Sequence, residues 1–400
     1  MTEEYIRSQA EALKDYVVSC RRTIHRFAEV DGTEIKTGNF IKSQLEEENI
    51  PWEMVSKTGF VALLDTGRPG PAIGLRADMD ALPMKENPCN LKGKRVVVSD
   101  DPETCHACGH DAHCAMLLGA MKALSAARDE LTGKIYFIFE QGEEACCGGV
   151  DGVVDFLKRT HLDVVWGIHV FADLESGKIS VEAGPRMTAN FMLDITVRGK
   201  GGHASRPDMA RNPVFCAASM ITALSSAWVN RIKAGETVTL APTSIIGGSS
   251  WNIIPDEAQI IGTCRFFSHE EGMKALDMAV KCCENIAELH ECTVEFGDRM
   301  LHSKSMPVVN DPHYSKIAAE YIEKAVPGLV AECPRWYASE TFGRYQALVP
   351  GVFAFLGIKN EEKGTGAPHH NQYFDVDEDM MPYGMMSTLS FVRGVQETWQ

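Results

Sequence analysis

The sequence has no long apolar run, no basic or apolar N-terminal stretch and no excess of positive charge. No apolar run approaches the roughly 20 residues that a membrane-spanning helix needs, and the acidic start at Met1–Tyr5 is unlike an export signal. The formal net charge is −16, which disfavours nucleic acids and anionic membranes because surfaces that bind phosphate are basic. We therefore expect a cytoplasmic protein with neither a nucleic-acid nor a membrane partner.

Features of a disulfide-bonded protein are also missing. The chain has 13 cysteines, but this number is odd, the chain is long and no export signal is visible, so we expect mostly reduced thiols. Adjacent pairs such as Cys146-Cys147 and Cys282-Cys283 stand at a spacing that rarely gives a good bridge. The thiols thus remain available for other chemistry.

The length of 400 residues is too great for one ordinary core, so two domains are expected. In the first part of the chain, apolar runs that predict strands alternate with segments whose apolar spacing predicts helices. The predicted strands are 60–64, 72–75, 135–139 and 164–168, and the predicted helices are 6–28, 36–48, 111–126 and 150–159. This order predicts an α/β fold with a mostly parallel sheet and helices on both faces.

Polar side chains follow several of these strands. Asp80, Glu143-Glu144 and His169 each come just after a predicted strand. In open α/β sheets the functional site lies beyond the carboxyl ends of the strands. We therefore expect these side chains to lie close together.

The character of the chain changes near Gly184-Pro185. The pattern that follows predicts strands 191–197, 237–240, 258–266 and 293–296 and helices 212–229 and 269–290. This β-α-β-β-α-β order is the ferredoxin-like arrangement. Beyond it the first pattern resumes, with helix 313–325, strand 351–356 and helix 379–397. We predict a catalytic domain formed by 1–185 and 302–400, with an α+β domain inserted at 186–301.

Metal-binding chemistry is concentrated in the segment 105–113, which reads Cys-His-Ala-Cys-Gly-His-Asp-Ala-His. Thiols, imidazoles and carboxylates are the donors that bind borderline and transition divalent metals. A structural zinc site is the alternative, but such sites usually show two paired ligand sets at short spacing, and no second Cys-x-x-Cys follows. Mixed donors scattered along the chain suit an open catalytic site better.

The other candidate donors are weaker when taken singly. Adjacent Glu143-Glu144 are typical of a solvated loop, yet one could bind metal while the other takes a proton from water. Asp78 and Asp80 share a face in an extended segment, so one could orient a ligand, although a helix cap is an equal alternative. His169 could be an ordinary core histidine, and the loop pair His369-His370 could be incidental.

The ordered set of these elements resembles the M20 metallopeptidases, and among them the N-acyl-amino-acid amidohydrolases that include hippurate, indole-acetyl-amino-acid and N-acetyl-diaminopimelate hydrolases. The resemblance covers nearly the whole chain and is carried by these segments: 21–25 with Glu29, 75–83, 106–113, Glu143-Glu144, 167–169, 201–205, 252–255, 262–265, and His370 with Phe374. It implies a zinc-exopeptidase-like catalytic domain and an inserted domain that acts as lid and dimer interface. A homodimer, possibly a higher homo-oligomer, is therefore expected.

The resemblance also assigns roles to residues. It implies two divalent metal ions, Zn or Mn first and Co or Ni also allowed, held by Cys108, His110, Glu144, His169 and His370. Spacing to Phe374 favours His370 over His369 as the last ligand. Glu143 would be the general base and acid, and Asp80 the carboxylate that orients a ligand. His203 would stabilise the oxyanion in a neighbouring subunit's site, and Asn252 and Arg265 would hold the substrate's carboxylate.

The expected function is therefore hydrolysis of the amide bond of an N-acyl amino acid by metal-activated water. Two alternatives remain open at this point. The same machinery would serve a dipeptidase or aminoacylase, and a metal-dependent binding protein without turnover would show the same donors.

Overall fold

The structure, a computed structural model, describes residues 1–145, 148–229 and 231–399. These residues form two units. The first consists of residues 1–184, 309–334 and 344–400, and the second of residues 185–308 and 335–343. Within the described part of the chain, no helix combines the length and the apolar character that crossing a bilayer requires.

The elements follow one another along the chain with these bounds. The helices are α1 (Glu3–Phe27), α2 (Ile35–Glu47), α3 (His110–Ala126), α4 (Gly149–Arg159), α5 (Pro213–Leu224), α6 (His269–Leu289), α7 (Asp298–Leu301), α8 (Pro312–Ala325), α9 (Phe342–Gln346) and α10 (Met381–Thr398). The strands are β1 (Trp52–Met54), β2 (Phe60–Asp65), β3 (Ala72–Asp78), β4 (Lys134–Glu140), β5 (Val164–Glu175), β6 (Ile179–Ser180), β7 (Gly184–Met187), β8 (Ala189–Arg198), β9 (Gly202–His203), β10 (Val238–Gly247), β11 (Ile253–Ile254), β12 (Glu257–Phe266), β13 (Thr293–Phe296), β14 (Val308–Asn310) and β15 (Gly351–Lys359).

The first unit is organised around a seven-stranded sheet in the order β1-β2-β4-β3-β5-β15-β6. The central neighbours β4-β3, β3-β5 and β5-β15 are parallel, whereas β1, β2 and β6 pair antiparallel at the two ends. The parallel strands are buried along nearly their whole length, as expected for a sheet covered by helices. The predicted α/β class with a largely parallel sheet is confirmed.

Helix α1 is one of the helices that cover the sheet, and its sequence explains where it begins and which face is buried. Thr2 caps it by accepting a hydrogen bond from the amide of Tyr5 at 3.1 Å, and acidic residues occupy its first turn, where the helix dipole favours them. Ile6, Val17 and Ile24 lie on its buried face, at the spacing of an amphipathic helix. α1 packs against α3 and α10, so its apolar stripe becomes part of the core of this unit.

Three predicted strands in this unit end too early, and the largest error concerns β5. The sequence pattern ended the strand that begins at Val164 before His169, but β5 continues to Glu175 and pairs with β15 beyond that histidine. A polar residue that follows an apolar run is typical of a strand end. His169 instead lies in the interior of a buried strand, where its polar atoms need specific partners.

The second unit contains a four-stranded sheet in the order β10-β12-β8-β13. All three pairs are antiparallel, and α5 and α6 pack against the strands. Its core is built from alternate residues of β8 and β12, among them Phe191, Leu193, Ile260 and Phe266. The strands of this sheet and its two packing helices follow one another as β8-α5-β10-β12-α6-β13, and the short strands β9 and β11 form a separate sheet.

Two element lengths in this unit differ from prediction. Helix α5 ends at Leu224 rather than at residue 229. Strand β10 runs on to Gly247, whereas the predicted strand ends at residue 240. β10 is an edge strand, and its register shifts between Pro242 and Ser244. A proline is tolerated at such a bulge because an edge strand has one side without sheet partners.

Candidate metal centre

Side chains able to bind metal ions converge in the first unit. They come from the start of α3, the segment after β4, the interior of β5 and the segment between β15 and α10. Three overlapping groups have all their ligand atoms within 4.8 Å of one another: Cys108, His110 and His169; Cys108, Glu144 and His370; His110, Glu143 and Glu144. The structure therefore brings the predicted ligands and Glu143 together.

A glycine makes the first two donors adjacent. Gly109 has a φ of 95° and lies immediately before α3, a backbone conformation that is open to glycine at little cost. A Cβ at this position would come within 2.3 Å of Cγ2 of Val170. The turn places Cys108 before the helix and His110 at its first position, so both side chains reach the same site.

His110 is oriented by Asp80. Its Nδ1 lies 2.9 Å from the Asp80 carbonyl oxygen and 3.2 Å from Asp80 Oδ1. The Asp80 carboxylate also accepts the amide hydrogens of Glu143 at 3.1 Å and of Glu144 at 3.0 Å. One carboxylate thus fixes a histidine ring and the backbone of both glutamates, which is how groups around a metal site usually orient its ligands.

His110 Nε2 is buried and has no hydrogen-bond partner among the described residues, and the same holds for Glu144 Oε1. Buried polar atoms normally have a partner, and both atoms point toward other donors. Oε1 lies 3.0 Å from His370 Nε2 and 3.9 Å from His110 Nε2. A cation among these donors would supply the missing partner, so the residues present fit a metal centre.

The electrostatics of the cluster also favour a cation. Burial, with the charge of Glu144, raises the pKa of the Cys108 thiol well above its usual range. Burial opposes ionisation of Glu144, but its close contact with His370 and the charge of His110 hold its pKa below the usual value. Bound metal ions favour deprotonated thiols. A thiolate at Cys108 therefore depends on a positive charge nearby.

His169 presents one nitrogen to this cluster. Its Nδ1 lies 2.6 Å from the Val170 carbonyl oxygen, and its Nε2 lies 3.5 Å from Cys108 Sγ. Burial, together with the neighbouring His113, lowers the pKa of His169 well below its usual value. The neutral imidazole is the form that binds metals.

His113, which lies in the donor-rich segment 105–113 but is not one of the predicted ligands, supports the site without joining it. Asp78, His110 and His113 also lie within metal-binding distance of one another, but both nitrogens of His113 are engaged. Nδ1 lies 2.6 Å from Asp78 Oδ1, and Nε2 accepts the amide hydrogen of Val170 at 2.9 Å. His113 therefore holds the backbone next to His169. The sequence signal for this role of His113 was its position one turn after His110 on α3.

His370, and not its neighbour, faces Glu144. It has a φ of 59°, and its amide donates to the Ala107 carbonyl at 2.9 Å. This bond ties its segment to the start of α3. His369 is turned toward β5, where its Nε2 accepts the amide hydrogen of Ala172 at 3.2 Å. The structure thus places only His370 of this pair in a group with Cys108 and Glu144.

The remaining predicted residues belong to the second unit. His203 is exposed on β9, and its Nδ1 lies 2.7 Å from Ser205 Oγ. Asn252 is its neighbour, because the Asn252 carbonyl accepts the amide hydrogen of Ala204 at 3.0 Å. Arg265 lies on β12 and donates from Nη1 to the Tyr337 carbonyl at 2.9 Å. Two of the three residues are therefore close to each other.

Comparison with known proteins agrees with this geometry. Residues 74–393 match peptidase family M20/M25/M40. The chain is 30% identical over 387 residues to thermostable carboxypeptidase 1 of Saccharolobus solfataricus, covering 96% of each chain. It is 31% identical over 382 residues to N-acetyl-L-cysteine deacetylase of Bacillus subtilis, covering 94% of this chain and 88% of the relative.

A solved structure shows the same likeness in three dimensions. The YXEP protein of Bacillus subtilis, described as a dinuclear metal-binding peptidase of the M20 family, superimposes with a TM-score of 0.80 at 28% identity. The match covers 97% of this chain and 99% of that protein. The chain therefore belongs to peptidase family M20/M25/M40 and is a metal-dependent hydrolase of amide bonds.

Proposed function

We propose that the protein hydrolyses N-acyl amino acids to a carboxylic acid and a free amino acid. The observation that carries this proposal is the convergence of a thiol, imidazoles and a carboxylate on one buried point, with Glu143 beside them. The similarity to N-acetyl-L-cysteine deacetylase favours an amide between an acyl group and an amino acid.

The proposed ligands are Cys108, His110, Glu144, His169 and His370. They would hold two divalent ions, as described for the YXEP protein. When bound, such ions lower the pKa of water and polarise the acyl carbonyl. A thiolate ligand favours zinc over magnesium and calcium, and manganese, cobalt and nickel are the other candidates.

Glu143 is the proposed general base and acid. Its side chain is buried, and its carboxylate lies within 4.8 Å of the ligand atoms of His110 and Glu144. It would take a proton from the attacking water and deliver it to the amine that leaves. Asp80 would keep the residue in place, since it accepts the backbone amide hydrogen of Glu143.

Residues of the second unit are proposed to bind the substrate. His203 would donate a hydrogen bond to the oxyanion in a neighbouring subunit's site, a contact that becomes strongest in the transition state. Arg265 and Asn252 would bind the carboxylate of the amino-acid half, for which a guanidinium has a matching geometry. The exposure of His203 supports this role, because its ring is accessible to a ligand.

We further propose that residues 186–301 form a lid and dimerisation domain and that the protein is a homodimer. Strand β10 is the edge of its sheet in the described chain, and an edge with unpaired backbone groups can pair with another strand. Ile246 on this strand is 57% exposed, and Phe215 on the adjoining α5 is 69% exposed. A second copy of β10 would cover both.

Light scattering coupled to size-exclusion chromatography tests the dimer. Ile246→Lys should give a monomer, because it places a charge in the interface. Leu289→Lys is the matched control, since Leu289 is 76% exposed at the end of α6 in the same unit. A monomeric parent protein, or an Ile246→Lys dimer, would contradict the interface.

A cytoplasmic location is also proposed. Its support is that the described cysteines are free thiols, as expected in a reducing compartment. Titration of thiols in freshly extracted protein should find them reduced. Extraction with disulfides in place would count against this location.

A carboxypeptidase or dipeptidase is the second candidate function, favoured by the similarity to thermostable carboxypeptidase 1. A panel of N-acyl amino acids and dipeptides, with added Mn²⁺ or Zn²⁺ and detection of free amine, separates the two. Amine release from acyl amino acids supports the amidase, and release mainly from dipeptides supports the peptidase. Bound metal without amine release from either class would indicate a binding protein.

Glu143→Gln tests the proton-transfer role. The variant should retain metal and lose at least about 100-fold in rate, the usual size of acid-base catalysis. Glu175→Gln is the matched control, because that side chain is exposed and pairs with Lys359 at 2.9 Å. Equal rates in Glu143→Gln and the parent protein would remove Glu143 from this role.

A further inference from the structure

A closed circuit of alternating charges lies in the first unit, and one of its members, Asp111, directly follows the proposed metal ligand His110. We call it the charge ring, and its members are Arg21, His25, Glu86, Arg95, Asp111 and Asp375. Arg21 Nε lies 2.7 Å from Asp111 Oδ2, which lies 2.8 Å from His25 Nδ1. His25 Nε2 lies 2.8 Å from Glu86 Oε1, and Arg95 Nη1 lies 3.3 Å from that oxygen. Asp375 Oδ1 closes the circuit, 3.8 Å from Arg95 Nη1 and 3.4 Å from Arg21 Nη2.

The ring is buried, and its charges can balance. Its side chains are at most 8% exposed. Burial and the charge of Arg21 oppose protonation of His25, but hydrogen bonds with Asp111 and Glu86 outweigh them and raise its pKa. Within the ring, three cations alternate with three anions when His25 is protonated, and Glu378 adds a further carboxylate 3.3 Å from Arg21 Nη1. Buried ion pairs are weak sources of stability compared with apolar packing, which points to a role other than holding the core.

The ring connects the segments that carry metal donors. Asp111 follows His110 directly at the start of α3. Asp375 and Arg95 reach the segment of His370, because Arg95 Nη2 donates to the Gln372 carbonyl at 2.8 Å. His370 is in turn bonded to the backbone before Cys108 through the Ala107 carbonyl. Both ligand segments are thus tied to the same set of charges.

Arg95 also holds its own loop. Its Nε donates to the Asn87 carbonyl at 2.8 Å, and the Asn87 amide donates to the Gln372 carbonyl at 3.1 Å. The guanidinium therefore joins the loop that carries Glu86 to the segment that carries His370. Its contacts with Glu86 and Asp375 are ion pairs, since Nη1 forms no aligned hydrogen bond among the described residues.

We infer that the charge ring fixes the spacing between the Cys108–His110 segment and the His370 segment and so sets the affinity of the metal centre. Its members are positioning residues that act through the backbone of the ligands. The inference rests on the proposed function only in taking these side chains as metal ligands. It adds that residues from α1 and from the loop 86–95 govern metal binding.

The test is a titration of chelator-treated protein with Co²⁺ alone, followed by the thiolate-to-cobalt absorption band. Glu86→Gln is the main variant because it keeps the volume of the side chain and removes only the charge. We expect Co²⁺ affinity to fall about 10-fold or more, in the range seen when groups that support metal ligands are removed. Arg95→Met should lose more affinity than Arg95→Lys, which retains the positive charge.

Arg26→Met is the matched control. It removes one positive charge, as Arg95→Met does, but from α1, where the pair of Arg26 with Asp100 is exposed, so Co²⁺ affinity should not change. Thermal unfolding of each variant in chelator reports the metal-free fold separately. A lower unfolding temperature with unchanged Co²⁺ affinity and an unchanged band would overturn the inference, because the ring would then be merely structural. Aggregation of Glu86→Gln would also count against it.

The experiment separates this inference from the proposed function. It uses no substrate, so the absence of N-acyl amino acid hydrolysis would leave the titration valid. Loss of affinity in Glu86→Gln would still support the ring. If the parent protein binds no Co²⁺, both the ligand assignment and the ring fail.

Discussion

Gly109→Ala tests the turn that brings Cys108 and His110 to one site. The substitution adds a single Cβ at a residue whose φ is 95°. That atom would lie 2.3 Å from Val170 Cγ2 and 3.5 Å from the ring of Phe374. Both neighbours are buried, so neither can move into solvent to relieve the contact.

Two costs add at this position. A side chain in the left-handed region costs about 1–2 kcal/mol, and inserting a methyl group into a packed site costs about 1–3 kcal/mol. Together they should lower the free energy of unfolding by about 2–5 kcal/mol. Relief of the clash would displace Val170, which His113 holds through its amide and which adjoins His169. We therefore expect weaker metal binding as well.

Denaturant unfolding of the chelated protein and Co²⁺ titration measure the two effects. Gly177→Ala is the control, because Gly177 has a φ of 84° and a Cβ there would meet nothing within 4 Å. Gly177→Ala should lower the free energy of unfolding only by the cost of a side chain in the left-handed region, about 1–2 kcal/mol. It should leave Co²⁺ affinity unchanged. Equal destabilisation by the two variants, with equal Co²⁺ affinity, would refute the reasoning.

Three other predictions concern single side chains. Asp80→Asn should weaken Co²⁺ binding about 10–100-fold, since it disturbs the group that orients His110, and an unchanged isotherm would exclude that role. His113→Ala removes the acceptor of the Val170 amide hydrogen and should lower the free energy of unfolding of the chelated protein by about 1–3 kcal/mol, measured in urea. A change within about 0.5 kcal/mol, the size of ordinary surface substitutions, would contradict this prediction. The pKa of His25 is raised in the folded protein, so protonated His25 stabilises the fold at pH values below the usual histidine pKa. This stabilisation is lost as pH rises through the pKa that His25 has in the folded state. The unfolding free energy of the chelated protein should therefore fall above pH 6.5 or so, and His25→Gln should show a smaller fall.

Much of the fold was predictable because its elements carry local signals. The apolar spacing of α1, the buried run of β4 and the element order of the second unit are properties of short segments, and the structure reproduces them. The donors in residues 105–113 were visible for the same reason. Thiol, imidazole and carboxylate groups gathered in so short a segment are typical of a metal site.

The errors occurred where tertiary contacts override local pattern. His169 has the appearance of a strand end, yet β5 continues because β15 pairs with it on both sides of the histidine. The predicted strand ends at residue 240, yet β10 continues past Pro242 because the open edge of the sheet accommodates the proline. The lengths of such strands depend on neighbours that are distant in sequence.

The sequence by itself determined the family resemblance, the α/β class and the identities of the candidate donors, because each depends on residue types in order along the chain. Tertiary structure decided which histidine of the pair at 369–370 faces Glu144, that His113 supports the backbone beside His169, and that charges from α1 to Asp375 form one buried ring. These facts depend on side-chain direction and on contacts across hundreds of residues. Short-range sequence patterns name candidate residues such as His113 and His370 but do not specify these contacts.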